Sequence, residues 1–175
     1  MQTFKVALTI VVALLLQMLL ATQLGFFRYV DLPLVVTAYF ALQRSPVLGM
    51  VTGMIAGIGG DAIGGGILGV GGFSKTLIGY LVGVASVRLS LENPLARVSV
   101  VAAASAANTV LFVALHQMLE QTLPFVSTWG EFGATVGWKV VGDTTASIIV
   151  FMILDRVFSE HATARRMAIK KRFYE

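Results

Sequence analysis

Thirteen of the eighteen glycines in this chain lie between Gly49 and Gly83, in a stretch that is otherwise almost wholly apolar. Glycine in a helix interior costs about 1 kcal/mol relative to alanine, so a water-soluble helical core would not concentrate it there. In lipid the balance changes. Helices in a bilayer gain little from hydrophobic association, and close backbone approach through small residues becomes a main packing device. The feature therefore predicts a membrane protein whose helices meet closely. Composition agrees: 57% of residues are hydrophobic and only 13% are charged, whereas soluble domains carry about 25% charged residues. The chain has no cysteine, which excludes disulfides and thiol chemistry.

A helix needs about 20 mostly apolar residues to cross some 30 Å of hydrocarbon. Apolar runs predict an all-α, polytopic protein of six transmembrane helices, at about 6–24, 30–43, 47–60, 67–87, 98–119 and 132–154. Residues 1–158 form a single membrane domain in this reading, and 159–175 form a basic tail. The first run resembles a signal peptide only superficially, being longer than an h-region and followed by further spans. The second is short. Asp31-Leu32-Pro33 looks like its start, with a capping acid and a proline in the first turn.

Six spans place both termini on one side. That side would carry Lys5, Arg44, Arg88, Arg97, Arg156 and the tail residues Arg165, Arg166, Lys170, Lys171 and Arg172. The other side would carry only Arg28, with Lys75 and Lys139 inside spans. Ten against one is a positive-inside bias, which predicts both ends in the cytoplasm.

Gly49, Gly53 and Gly57 recur every four residues and so share one helix face. Gly79 and Gly83 repeat the spacing on the fourth span, and Gly133 and Gly137 on the sixth. The fifth span offers the small run Ala102–Ala107 instead. Such faces serve either packing within the monomer or reception of a helix from another protein. Between the third and fourth spans, the segment Gly59–Gly72 includes Gly65, Gly66 and Gly69 around a single acid, Asp61. So many glycines oppose a regular helix, and an irregular outer turn is expected there, buried against its neighbours. It does not match a phosphate loop, because the lysine lacks the adjoining glycine and spacing.

Lys75, Lys139 and Asp143 each cost a few kcal/mol inside lipid and should face inward and pair. At 1.5 Å per residue the two lysines fall at similar depth, about 10–12 Å from the outer edge. Asp143, four residues after Lys139, could pair with either lysine, and Asp61 balances the charge. The expectation is a polar cluster of Asp61, Lys75, Lys139 and Asp143 in the outer half, built from spans three, four and six. Such a cluster suits an interhelical salt-bridge network, a solute pocket, a proton relay or a partner contact. Asn108 suits a helix–helix hydrogen bond. No nucleophile motif or metal-ligand spacing is present and the two histidines are far apart, so neither enzyme, cofactor nor metal is expected. The basic tail suits an anchor at an anionic leaflet, or a docking segment for a filament or soluble partner.

The order of these features resembles a known family. A leading span, a D-L-P entry to a short span, Gln43-Arg44-Ser45-Pro46, the Gly49/Gly53/Gly57 ladder, G-D-A-I-G-G-G-I-L-G (60–69) and G-F-S-K-T-L-I-G-Y-L-V-G (72–83) look like the rod shape-determining protein MreD family. The resemblance is most specific over about 31–83. The acid and glycine-rich turn map onto Asp61, Gly65, Gly66 and Gly69, while Lys75, Gly79 and Tyr80 match positions often seen in members. The later half is generic, so nothing is carried onto Lys139 or Asp143.

This resemblance implies a non-enzymatic subunit of the bacterial elongation machinery in the cytoplasmic membrane. Its implied partners are MreC (one membrane helix plus a periplasmic domain), and through it the MreB filament, RodA and a class B penicillin-binding transpeptidase, with a homodimer also conceivable. It further implies a fold similar to the substrate-binding subunits of energy-coupling-factor vitamin transporters. A solute-capturing transporter subunit is therefore the alternative. Those subunits usually carry an A-x-x-x-A stripe on the first helix, and Ala7, Ala13 and Ala21 do not make that spacing.

Overall fold

The structure is a computed structural model that describes residues 2–23, 25, 29–43, 45–89, 93–119 and 128–172, with backbone only for 2–3 and 159–172. Among the described residues there are six helices and no strand: α1 (Gln2–Gln23), α2 (Leu32–Ala41), α3 (Pro46–Gly64), α4 (Val70–Arg88), α5 (Pro94–Met118) and α6 (Trp129–Arg172). Four of them, α1, α3, α4 and α5, are long and apolar enough to cross a bilayer. The protein is a polytopic helical membrane protein. Arg28, Arg44 and Glu120 lie outside the described residues.

Local chemistry sets the helix starts. Asp31 caps α2 by accepting the Leu34 N–H at 3.0 Å. Ser45 caps α3 through the Leu48 N–H at 3.2 Å, and Asn93 caps α5 through the Leu95 N–H at 2.9 Å. In each case a proline occupies the first turn, where its missing N–H costs nothing.

The short helix is the centre of the molecule. All ten residues of α2 are buried, and it touches each of the other five helices. Direction alternates from helix to helix along the chain from α2 to α6. The stretch from Asp31 to Ala41 runs alongside Lys75 to Ser86 of α4 and Asp143 to Asp155 of α6. Helices α3 and α5 run the opposite way: Gly49, Gly53 and Gly57 meet Gly79, Lys75 and Gly71 in reverse order. Ten helical residues cover only about 15 Å, so α2 accompanies the others over part of their length. Around it, α1 turns Phe4, Leu8, Leu15 and Leu19 outward, as suits a lipid-facing helix.

One expectation is corrected. The segment Gly59–Gly72 is not an irregular turn throughout: α3 stays helical to Gly64, and α4 resumes at Val70. An unsatisfied backbone group in lipid costs several kcal/mol, more than the glycine penalty of about 1 kcal/mol, so the chain keeps its helical hydrogen bonds. The break is confined to 65–69, where Gly65 (φ 67°) and Gly69 (φ 102°) take left-handed conformations that a side chain would strain.

Candidate functional site

The glycine ladder of α3 faces the backbone of α4. A Cβ built on Gly57 would meet Gly71 and Gly72, one on Gly53 would meet Lys75 and Thr76, and one on Gly49 would meet Gly79 and the Cβ of Ala41. From the other side, Gly79 faces Gly49 and Thr37, and Gly83 faces Pro46. The two helices therefore touch main chain to main chain along most of their length. Bulkier residues would hold them apart.

At the end of this seam, beside the 65–69 break, Asp61 folds back from α3 onto the start of α4. Its carboxylate accepts the N–H groups of Gly69 at 2.8 Å, Gly71 at 3.0 Å and Gly72 at 3.2 Å. The first N–H groups of a helix have no intrahelical partner. Gly69, at the N-cap of α4, has no side chain to serve them. Asp61 supplies the acceptor instead, next to the positive end of the helix dipole. Gly66 has no atom near its Cβ position.

Asp61 is thus engaged apart from the other charged residues, and the expected four-member cluster is corrected. Lys75 Nζ pairs with Asp31 Oδ2 at 2.8 Å, with both side chains largely buried. The Asp31 N–H donates to Asp143 Oδ1 at 2.6 Å, and Ser105 Oγ donates to Asp143 Oδ2. Asp143 therefore bonds to neither lysine. Gln17 of α1 completes the node, donating from Nε2 to the Val30 carbonyl at 2.8 Å and accepting the Leu32 N–H at 3.0 Å. Lys139 is half-buried and near enough for its charge to act on both carboxylates. It forms no ion pair within 4.0 Å among the described residues. The node joins α1, α2, α4, α5 and α6, where spans three, four and six were expected. Two acids and two bases balance there, with Asp31 in the place foreseen for Asp61.

A second polar contact closes the opposite end. Tyr39 of α2 donates its hydroxyl to Asp155 at 2.9 Å, Arg97 of α5 lies 3.4 Å from the same carboxylate, and the Arg97 guanidinium sits 5.1 Å over the Phe151 ring. Asn108 is 3% exposed, and its Oδ1 accepts no hydrogen bond among the described residues. The expected helix–helix bond is not made through that atom. Among the described residues no group of three His, Asp or Glu is placed to hold a metal ion.

Gly133 and Gly137 behave unlike the α3 and α4 glycines. Both are exposed, and among the described residues no atom lies within 4 Å of a Cβ built on either. Trp138 and Val141 continue this open face. Beside it, the ends of α5 and α6 enclose a cavity of about 500 Å³ lined by Val110, Val113, Ala114, Gln117, Trp129 and Phe132, among others. The side chains of Arg165, Arg166, Lys170, Lys171 and Arg172 lie outside the described residues, although their backbone continues α6.

The model of the family described as rod shape-determining protein MreD matches residues 1–159. This chain belongs to the MreD family. The match takes in α1 to α5 and α6 as far as residue 159, so the seam, the Asp61 bracket and the Lys75–Asp31 node all fall within it. No curated protein and no solved structure gives a match. Membership places the chain in rod-shape determination, as a multi-pass membrane protein associated with that machinery. MreD is a family of shape-determining membrane proteins and not a known enzyme family.

Sequence reasoning singled out Lys75, Lys139 and Asp143 but not Asp31, Ser105 or Gln17 as members of the node, and it counted Asp61 among them, which the structure holds apart. Asp31 read only as a helix cap and Ser105 only as one of a run of small residues. An acid already accounted for as a helix cap was not weighed as a counter-ion for Lys75.

Proposed function

We propose that this chain is a non-enzymatic membrane scaffold that seats the single membrane helix of MreC against the outer half of α6. Through MreC it would hold the MreB filament, RodA and a class B penicillin-binding transpeptidase in one assembly for peptidoglycan synthesis. The single observation that carries the reading is the split among the glycines. The regularly spaced Gly49, Gly53, Gly57, Gly79 and Gly83 are consumed by an internal seam, whereas Gly133 and Gly137 meet no atom within 4 Å among the described residues. A small-residue face left open in lipid suits close approach by another helix.

The same structure weighs against the transporter reading. The charges that would greet a solute already have protein partners: Lys75 has Asp31, and Asp143 has the Asp31 N–H and Ser105. The ten-to-one basic bias and the alternating helix directions support six crossings with both termini in the cytoplasm. Residues 1–158 would be the membrane domain and 159–175 its cytoplasmic tail.

Replacing Gly133 and Gly137 together by leucine tests the docking face. Co-purification of MreC should fall about tenfold or more while the membrane level of the protein is unchanged. Undiminished capture would move the interface elsewhere. Loss of self-association in place of MreC capture would make the face a homodimer contact.

A further inference from the structure

Helix α6 runs unbroken from Trp129 to Arg172, 44 residues, which at 1.5 Å per residue is about 66 Å. That is roughly twice the hydrocarbon thickness of a bilayer. The Tyr39–Asp155–Arg97 contact and the packing of Phe158 on Tyr39 and Phe40 fix where the helix leaves the packed body, level with the end of α2 and the first turn of α5. Arg165 lies seven residues beyond Phe158, about 10 Å along the axis, and Arg172 lies fourteen beyond, about 21 Å. A tilt of about 20° shortens these distances by only ~1–2 Å. The charge of a phospholipid surface is screened over about 8 Å at physiological ionic strength. The headgroup layer adds about 5–7 Å beyond the hydrocarbon, so a continuous helix carries Lys170, Lys171 and Arg172, about 18–21 Å beyond Phe158, out of reach of the headgroups.

The sequence of the segment agrees. At about 100° per residue, Arg165, Arg166, Lys170, Lys171 and Arg172 are distributed around the whole circumference, interleaved with Ala164, Met167, Ala168 and Ile169. A helix that lies on a membrane needs one continuous apolar face opposite a polar one, and this segment has none. Five of the last eleven residues are basic and one is acidic.

We propose that the end of α6 is a cytoplasmic docking rod for an acidic protein surface, held clear of the bilayer by the continuity of the helix. The occupant presents several carboxylates over a length of about 12 Å, matching the eight residues from Arg165 to Arg172. The rod lies beyond the residues matched by the family. It rests on the cytoplasmic placement of the termini proposed above and is independent of the outer face of α6.

The test uses the full chain in lipid nanodiscs containing phosphatidylglycerol. Because the protein has no cysteine, Ala168→Cys and Val157→Cys each give a unique label site. Quenching by lipids with a nitroxide headgroup should be at least about fivefold weaker at 168 than at 157. Equal quenching would put the segment on the membrane and overturn the proposal. Binding of a fluorescent polyglutamate peptide should then weaken about tenfold when all five basic residues are changed to glutamine. Equal binding by the two proteins, or none by the unaltered one, would also overturn it. Labelling of Ala168→Cys in intact cells with an impermeant reagent separately tests the side of the membrane, so a failure of topology is distinguishable from a failure of the rod.

Discussion

Gly53→Ala is the sharpest probe of the fold. Its new methyl carbon would sit 2.6 Å from the Lys75 carbonyl carbon and 3.0 Å from the Thr76 nitrogen. Ordinary contact begins near 3.4 Å, so α3 and α4 must separate by about 1 Å. The obstacle is main chain, which cannot swing aside as a side chain does. A gap of that size forfeits a quarter to a half of the dispersion energy of each contact it opens. Overpacking costs about 1–3 kcal/mol, against a gain of up to about 1 kcal/mol from replacing helical glycine. The net expectation is a loss of roughly 1–2 kcal/mol, larger for Gly53→Leu. Gly60→Ala and Gly133→Ala are the internal controls, because among the described residues nothing lies within 4 Å of either Cβ position. They should be neutral or stabilising by up to about 1 kcal/mol. Reversible unfolding in mixed micelles, titrated with a denaturing detergent, measures all three. If Gly53→Ala proves as stable as Gly60→Ala, the helices do not meet backbone to backbone and the argument fails.

Lys75→Leu should cost about 3–5 kcal/mol, since it strands the Asp31 carboxylate without its counter-ion. Adding Asp31→Asn, which keeps a capping side chain for Leu34, should restore much of that loss in the same unfolding assay. Asp61→Ala removes the acceptor for Gly69, Gly71 and Gly72 and should cost about 1–2 kcal/mol, as loss of a cap does. Hydrogen exchange at the Gly71 and Gly72 amides should quicken, and unchanged protection there would refute the bracket. Tyr39→Phe should lower stability by about 1 kcal/mol by deleting one hydrogen bond to Asp155, while leaving the Arg97–Asp155 contact in place. A loss of several kcal/mol would mean that the hydroxyl holds more than this bond.

The glycine face of α3 was legible because a four-residue repeat must lie on one side of a helix, whatever surrounds it. The polar node was less so. Inward-facing charges follow from the cost of charge in lipid, but which acid meets which base depends on helix rotation and neighbour order, and hydropathy contains neither. Asp61 shows the difference most clearly. Its sequence neighbourhood suggested a member of a buried charge cluster, yet the positive φ of Gly65 and Gly69 turns the chain so that its carboxylate meets three amides instead.

Composition and spacing alone determined that this chain is helical, lies in a membrane and packs through small residues, because the bilayer penalises charge and exposed backbone regardless of fold. Tertiary structure decided that the shortest helix stands at the centre and that Asp31 rather than Asp61 neutralises Lys75. It also decided that Gly133 and Gly137 on α6 stay open among the described residues while the spaced glycines Gly49, Gly53, Gly57, Gly79 and Gly83 are buried in a seam. Those outcomes rest on which surfaces five surrounding helices turn toward α2, and such a choice is made only when all of them pack at once.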